Sequence, residues 1–551
     1  MPEEVRLDQI SIKVNGSQIP HELMDVLEDV EVDTSLYLPD MFILTFHDDE
    51  LRWMDQGLFQ LGATVLIEMS MEERQQQRVM EGEVTAIEPR FSDNQTVKLV
   101  VRGYDKTHRL NRGTKSRVFV QVTEGDIVSQ IAREAGLSAD VDVSSEVYEH
   151  VFQHNQTDLA FLQERADRLG YECFVDQDTL HFRPPRTGAD QPIELDWGST
   201  LRSFTPKLTV IGQVDEMIVK GWDPRTKREI IGKASSTNTA PEINVGGQGG
   251  QVASRAFSTA RQMVVRRPVS SQSEADRVAQ AILDEVNAGF VEAEGVALGN
   301  PRLYAGHKVK LSGLGQKFSG TYMMTSAVHI YTARGIYQTH FRVEGVRPTL
   351  MADLIAGGNI TDDGSATWGG VVPAVVTNNE DPQNMGRVKL KFPWMDTSLE
   401  SDWARIVAVG AGKDRGLFWL PEVNDEVMVA FEHGDFNRPY VIGNLWNGED
   451  TPPETVSQAV NSGRVQLRTI KTRAGHIIRF SDKDGSQFIE IIDAAQGTHI
   501  KLDATGKKLT IKVESNIEIE AQGNIKMKAA GNINVEATGQ LTLKGAMVNI
   551  N

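Results

Sequence analysis

Four groups of residues in this 551-residue chain are of types that could do chemistry. Asp425 and Glu426 are adjacent carboxylates, the material of general acid–base catalysis. Cys173, the single cysteine, lies in "YECFVD" and could serve as a nucleophile. His433, His476 and His499 are imidazoles of the kind that ligate metals. "NVGGQGGQ", residues 244–251, has the composition of a phosphate-cradling loop. Each group has a plainer reading. The acidic pair sits beside turn signals and suits a structural or turn role. Cys173 has no histidine near it in sequence, so a buried strand thiol is the default. The three histidines are not at metal-ligand spacing. The glycine loop lacks the Gly-Lys-Ser/Thr of a P-loop and follows no clear strand, so it reads as a flexible loop. No catalytic, cofactor-binding or metal-ligating residue is assigned, and no cofactor is expected.

Composition narrows the classes. The formal charge is −19 and Lys and Arg form no basic run, which argues against general nucleic-acid binding. A hydrophobic share of 40% fits a folded chain, and the length implies several domains. One cysteine excludes an intrachain disulfide framework. "MPEEVRLDQI" lacks the apolar segment of a secretory signal, and no run approaches the length of a membrane helix. The expectation is synthesis in the cytoplasm, with any export by another route.

The elements that would position side chains are mostly strands, with some helix. Residues 1–104 hold short, partly alternating segments such as "MFILTFHD" and "QTVKLVVRGYD", separated by turn signals. Thr123 and Asp126 predict a capping box before "DIVSQIAREAG", with Gly136 as its stop. A second helix is predicted from Thr157 or Asp158 to Gly170. Residues 226–272 are polar and Gly/Ser-rich, and read as loops or a long insertion. Ser273 is a candidate cap for "EADRVAQAILDEVNAGF". Linkers are expected at 347–368 and 449–462.

Residues 515–546 repeat every eight residues: SNIEIEAQ, GNIKMKAA, GNINVEAT, GQLTLKGA. The first position is Ser515, Gly523, Gly531 and Gly539. The third is Ile517, Ile525, Ile533 and Leu541, and the fifth is Ile519, Met527, Val535 and Leu543. The seventh is Ala or Gly, and the fourth and sixth are polar. This is period-two alternation with a corner in each block. "KKLTIKVE", residues 507–514, reads as a weaker fifth copy. A single-chain β-helix needs a coil of roughly 20 residues to close, and eight make about one strand and one corner. Three chains would supply about 24 residues per level, so a three-sided homotrimeric prism is expected, with the third and fifth positions as its core. The plainer alternative is an antiparallel meander packed on another domain.

Residues 369–448 contain "GVVPAVVTNNEDPQNMGRVKLKFPW" and "SDWARIVAVGAGKDRGLFWLPEVNDEVMVAFEHGDFNRPYVIGNLWN". Asp381-Pro382, Gly386-Arg387, Trp403, Arg405, Pro421, Asp425-Glu426-Val427, Gly434-Asp435, Arg438-Pro439 and Gly443-Asn444 carry a pattern that resembles the OB-fold of VgrG-type spike proteins, a fold also found in the tail spikes of contractile phages. Asn424 departs from the pattern, where the family often has Gly. Upstream, "VRGYDKTHRLNRGTKSRVF", "TEGDIVSQIAREAGL" and "QHNQTDLAFLQERADRLGYECFVDQDTLHF" resemble the hub of the same family. "VNGSQIPHELMDVLEDVEVDTSLYLPDMFILTFHD" looks more like the spike of phage-tail-like extracellular contractile injection systems.

The resemblance implies a mainly β chain with some α: a hub of two β-barrel-like domains, an OB-fold and a trimeric β-helix (β-prism) needle. The expected division is a hub over 1–346, with 1–104 plus 201–346 as the first barrel and 105–200 as a second, α+β barrel-like part. The OB-fold then occupies 369–448 and the needle 463–551. The implied role is a non-enzymatic homotrimeric central spike that caps a hexameric inner tube, organises baseplate proteins and punctures the target envelope on sheath contraction. Contact with the target membrane would be transient. Cargo or effectors are further partners, and nucleic acid is not. The particle would be assembled in the cell and released extracellularly. A PAAR-like tip protein is expected on the last residues, Met547, Val548, Asn549, Ile550 and Asn551, with "FPWMD" and "FWLPE" at subunit contacts. The alternatives are a type VI secretion or phage tail spike, a trimeric tail-spike glycan depolymerase, and an OB-fold carrier for nucleic acid or glycan.

Overall fold

The computed structural model describes residues 10–71, 76–93, 95–142, 146–185, 191–237, 241–343, 369–395 and 398–550. The chain divides into two compact units, Met1–Leu445 and Trp446–Asn551. The expected linker at 347–368 lies outside the described residues.

The first unit is organised by a 14-stranded sheet. Alternation in segments such as Thr64–Met69 buries Val65, Ile67 and Met69 on one face. From the edge at Ser17–Gln18 the sheet passes through Ile10–Val14, Thr64–Met69, Gln77–Phe91, Val97–Tyr104, Met41–His47 and Leu27–Ser35. It then crosses to Gly320–Thr332, Tyr337–Val343, Val291–Leu298 and Leu201–Leu208. The crossing is an antiparallel seam running from Ser326 opposite Ser35 to Thr332 opposite Asp29. The sheet encloses two cores, one within residues 10–101 and sealed by Tyr331 and Tyr337, the other within 193–343. One continuous sheet thus carries two cores, over 10–104 and 193–343. The segments 1–104 and 201–346, expected to belong together, share this one sheet where they are described, and a twisted sheet of this many strands curls over more than a single core.

Residues 105–185 mix helix and strand outside the large sheet. They hold a two-stranded ribbon, Lys115–Val122 with Tyr148–Gln156, and a three-stranded sheet, Ser138–Val141, Thr179–Arg183 and Glu172–Asp176. Helices Glu124–Glu134 and Asp158–Leu169 pack on them around a separate core. The Thr123–Asp126 capping box is present, and Thr157 caps the second helix. That helix ends at Gly170, whose left-handed backbone lets Ala281 approach; a Cβ at Gly170 would lie 3.0 Å from the Ala281 Cβ.

Of the two readings of 226–272, loops or a long insertion, the structure has an ordered insertion between Leu201–Leu208 and Val291–Leu298, which are neighbours in the large sheet. Arg228–Ala234, Glu216–Asp223 and Arg261–Val264 form a sheet, Gly249–Ala256 is a helix, and helix Gln272–Ala288 covers the sheet. The cap of that last helix is Ser271, whose Oγ accepts from Glu274 N at 3.1 Å, not Ser273. Glu274 reaches back to Ser270 N and Oγ, both at 2.7 Å, which fixes the start two residues earlier.

Residues 371–444 form a five-stranded barrel. Val371–Asn378 pairs with Lys389–Lys391 and with Glu426–Phe431, which pairs with Pro439–Asn444. Arg405–Ile406 joins Pro439–Asn444 in parallel, and a bridge between Val388 and Ala404 closes the ring. This is the strand order of an OB-fold.

The second unit begins with a short helix, Val456–Ala459, and a small hairpin. Leu467–Lys471, Ile477–Lys483, Ser486–Ile492, Thr498–Asp503 and Lys508–Val513 follow as an antiparallel meander. "KKLTIKVE" is thus corrected: it supplies the meander's last strand, paired with Thr498–Asp503, and is not a repeat block. The eight-residue blocks start after it and form no strand pairing within the chain among the described residues.

Candidate functional site

The motif residues of the barrel are structural. Asp381 follows the first strand, and its carboxylate gathers the turn to the second. It accepts from Gln383 N at 3.0 Å, Met385 N at 2.8 Å and Arg387 N at 3.3 Å. Arg387 grips it with two bonds, Nη2 to Oδ1 at 2.7 Å and Nε to Oδ2 at 3.1 Å. These donors, Arg387 foremost, hold the Asp381 carboxyl well below the usual carboxylate range. Trp403 lies beneath Arg387 and Lys389, and Arg405 reaches the Tyr440 hydroxyl at 3.2 Å.

Asp425 accepts from Glu422 N at 2.8 Å and from Asn444 Nδ2 at 3.4 Å, and Glu426 opens a strand. The acidic pair therefore shapes a turn. Asn424 has φ +78°, the left-handed region that glycine adopts most easily, and its N–H still closes the turn onto Val376 O.

The remaining candidates disperse. Cys173 is buried in strand Glu172–Asp176, and burial pushes its thiol up to about 12, far from a reactive thiolate. His499 Nε2 lies 3.0 Å from Glu490 Oε2, and His476 Nδ1 accepts from Ala494 N at 3.1 Å. His433 sits in a turn of positive φ. Among the described residues no group of three His, Cys, Asp or Glu is placed to hold a metal. "NVGGQGGQ" enters helix Gly249–Ala256, where a Cβ on Gly250 would meet the Val214 carbonyl oxygen at 2.1 Å, so its glycines serve packing. Sequence reasoning missed Asp105, whose carboxyl burial raises to about 7; it borders a cavity of about 400 Å³. Both of its oxygens are held by Thr107, through N at 3.2 Å and Oγ1 at 2.7 Å.

What the described residues present in quantity is uncovered apolar surface in regular array. In the meander, cross-strand partners line Ile470, Ile478, Phe480, Ile489, Ile491, Ile500, Leu502, Leu509 and Ile511 along one face. All but the partly buried Ile500 are 39–60% exposed. The opposite face is mixed: it carries Leu467, Ile477, Phe488 and Ile492 beside an ion-pair cluster in which Arg479 bonds Glu454 at 2.6 Å and Glu490 at 2.7 Å. In the repeats, Ile517, Ile525, Ile533 and Leu541 are 52–58% exposed, and Ile519, Met527, Val535 and Leu543 are 60–74% exposed. Met547, Val548, Asn549 and Ile550 are exposed as well, and Asn551 lies outside the described residues.

A smaller patch lies on the barrel. Val407, Val409, Leu417, Phe418 and Trp419 are exposed around the hairpin of Ala411–Gly412 and Arg415–Gly416. Trp394 is half exposed, with its Nε1 donating to Pro373 O at 3.0 Å. Apolar faces of this extent are uncommon on a chain that works alone.

Comparison with known proteins agrees with the fold. Residues 372–446 match the type VI secretion system/phage-baseplate injector OB domain. The type VI secretion system spike protein VgrG1b of Pseudomonas aeruginosa is 25% identical over 418 residues, covering 69% of this chain and 53% of that protein. VgrG1c of the same organism is 24% identical over 425 residues, covering 69% and 54%. The chain thus spans about half the length of these curated relatives. A chain of the Francisella PdpA-VgrG complex has the same fold, with a TM-score of 0.54 at 11% identity over 92% of this chain and 80% of that one. With residues 4–332, more than half of its length, matching the Alg8 N-terminal domain, the chain belongs to that family and is VgrG-like in sequence and fold.

Proposed function

We propose that three copies of this chain form the central spike of a contractile injection machine. The reading rests on one observation: the second unit carries an apolar meander face, followed by four repeats with apolar third and fifth positions, and a single copy covers neither. A parallel closed assembly of three copies would turn these faces to a common axis and pair the free strand edges between chains. Such a stem is stiff along its length, which suits transmission of force. The hub, with its two cores per chain, would present six similar units to a hexameric inner tube and hold the baseplate around it. The role is mechanical, in line with relatives named as spike proteins, and the particle carrying it is assembled before it meets a target.

Beyond the repeats, Met547, Val548 and Ile550 are exposed apolar residues, and three copies would bring them together as one apolar docking face that also takes in Asn549 and Asn551. A small PAAR-like tip protein would cover them by extending the three sheets. Light scattering on the purified chain should give three copies, and a monodisperse, natively folded monomer defeats the reading. Removing residues 545–551 should leave the trimer intact and abolish tip capture; unchanged capture places the docking face elsewhere. The curated relatives are named for type VI secretion, so that particle type is the second reading. Neighbouring genes for a membrane-anchoring complex would favour it, and their absence beside sheath and tube genes would favour a free particle.

A further inference from the structure

The sixth position of successive repeats reads Glu520, Lys528, Glu536, Lys544, alternating in sign every eight residues. The fourth position begins the same way, with Glu518 and Lys526, before becoming neutral at Asn534 and Thr542. All eight side chains are exposed, and among the described residues the charged ones have no ion-pair or hydrogen-bond partner within the chain. Neighbours in the ladder cannot reach each other along one copy. Eight extended residues span up to about 26 Å, and in a three-sided stem each corner would turn the next block onto another side.

In a three-sided stem built from this unit, each level holds the same block from all three copies, one per side. The strand stacked above a block on any one side is then the next block, and it comes from a different copy. Its spacing is about 4.8 Å, with equal positions aligned in a parallel register. Glu520 of one copy then faces Lys528 of another, Lys528 faces Glu536, and Glu536 faces Lys544. The competing arrangement lays equal blocks side by side. It would line up Glu520 with Glu520 and Lys528 with Lys528, like charges in direct opposition.

We propose that this charge ladder sets the one-block stagger between copies, so that a second copy of this chain is the partner each charge is placed for. The inference rests on the trimeric reading above. It adds a register that the apolar positions alone do not specify, since every block presents nearly the same core residues. Ladder charges thus act against slippage, the hazard of a repetitive strand stack.

The test uses two full-length chains with distinguishable tags: the wild type, and a variant with the whole ladder inverted, E520K/K528E/E536K/K544E. Each alone should form trimers of equal melting temperature. Unfolded together and refolded at low salt, the two should sort, because a staggered mixed trimer places like charges together. Native mass spectrometry should then show mixed trimers well below the statistical share, with the bias fading at about 1 M salt, where the screening length is near 3 Å. Enrichment of mixed trimers would mean equal blocks lie side by side, and statistical mixing would mean the ladder sets nothing; either overturns the proposal while leaving the trimer standing. A wild-type chain that stays monomeric overturns both.

Discussion

Replacing Asp381 by Asn removes one charge and keeps the shape of the side chain. In the barrel that carboxylate accepts from three backbone amides and two guanidinium donors, and is 3% exposed. Asparagine retains one oxygen, enough for one or two of the amides. Arg387, 13% exposed over Trp403, keeps its charge and loses its counter-ion. Breaking such a pair from one side costs about 3–5 kcal/mol, and the retained acceptor puts the expected loss near the lower end, about 3 kcal/mol. At 1.36 kcal/mol per decade this is roughly 150-fold faster local opening. Hydrogen exchange of strand Lys389–Lys391, just past the turn, should accelerate by about that factor, with peptides around Ile12 as the unchanged reference. The sign with pH is set by the lowered carboxyl. The stabilisation is full above the ordinary aspartate range near 3.9 and is lost as pH falls from there toward the folded value, so the variant should show a flatter acid limb. Exchange of Lys389–Lys391 within threefold of wild type would refute the account of the DP…GR motif as a clasp.

Three further outcomes are expected. His329 is fully buried, and burial pushes its pKa from 6.5 down to about 4, so folding favours the neutral ring; stability is full above pH 6.5 and falls by about 3 kcal/mol by pH 4, a slope that His329→Gln should remove from acid denaturation curves. Gly232→Ala would set a Cβ 2.1 Å from the Ala275 carbonyl group in the covering helix, and should destabilise the layer by about 3 kcal/mol, read as faster proteolysis within 216–290. Ile533→Asp should impair trimer assembly by several kcal/mol through unpaired inward carboxylates, while Asn534→Asp melts near the wild type; equal melting of the two reverses the assignment of faces.

Much of this architecture was legible because local chemistry and tertiary context agree. Thr123 with Asp126, and Thr157 with Gly170, mark helix ends through bonds a few residues long, and those ends stand where the residue types place them. The barrel strands alternate strictly and are bounded by turn residues with fixed jobs. Regions that misled did so for physical reasons. Residues 226–272 look like loop because their strands and helix bury only one side, and because Gly232 and Gly250 are there for close backbone approach, which composition cannot distinguish from flexibility. "KKLTIKVE" has the repeat's alternation, yet Thr505 and Gly506 ahead of it make a turn that pairs it back with Thr498–Asp503. The joining of 10–104 to 193–343 in one sheet depends on pairings between distant strands, which no local pattern encodes. Asp105 was missed because a lone aspartate after a strand looks like any turn residue until its burial is known.

The seam between Leu27–Ser35 and Gly320–Thr332 has a consequence in time. Thr34 Oγ1 bonds to Ala327 O across 293 residues of chain, and the first core is sealed by Tyr331 and Tyr337. At a synthesis rate of about 5–20 residues per second, the opening strands wait on the order of 15–60 s for their partners. Throughout that interval Leu27–Ser35 offers an unpaired edge and an unfinished apolar layer. The intervening segment, with its own helices and cores, has time to fold first and bring the two ends together. A nascent chain of this kind is most exposed to mispairing before the second strand of the seam emerges, and a chaperone that shields a β edge would act on it there.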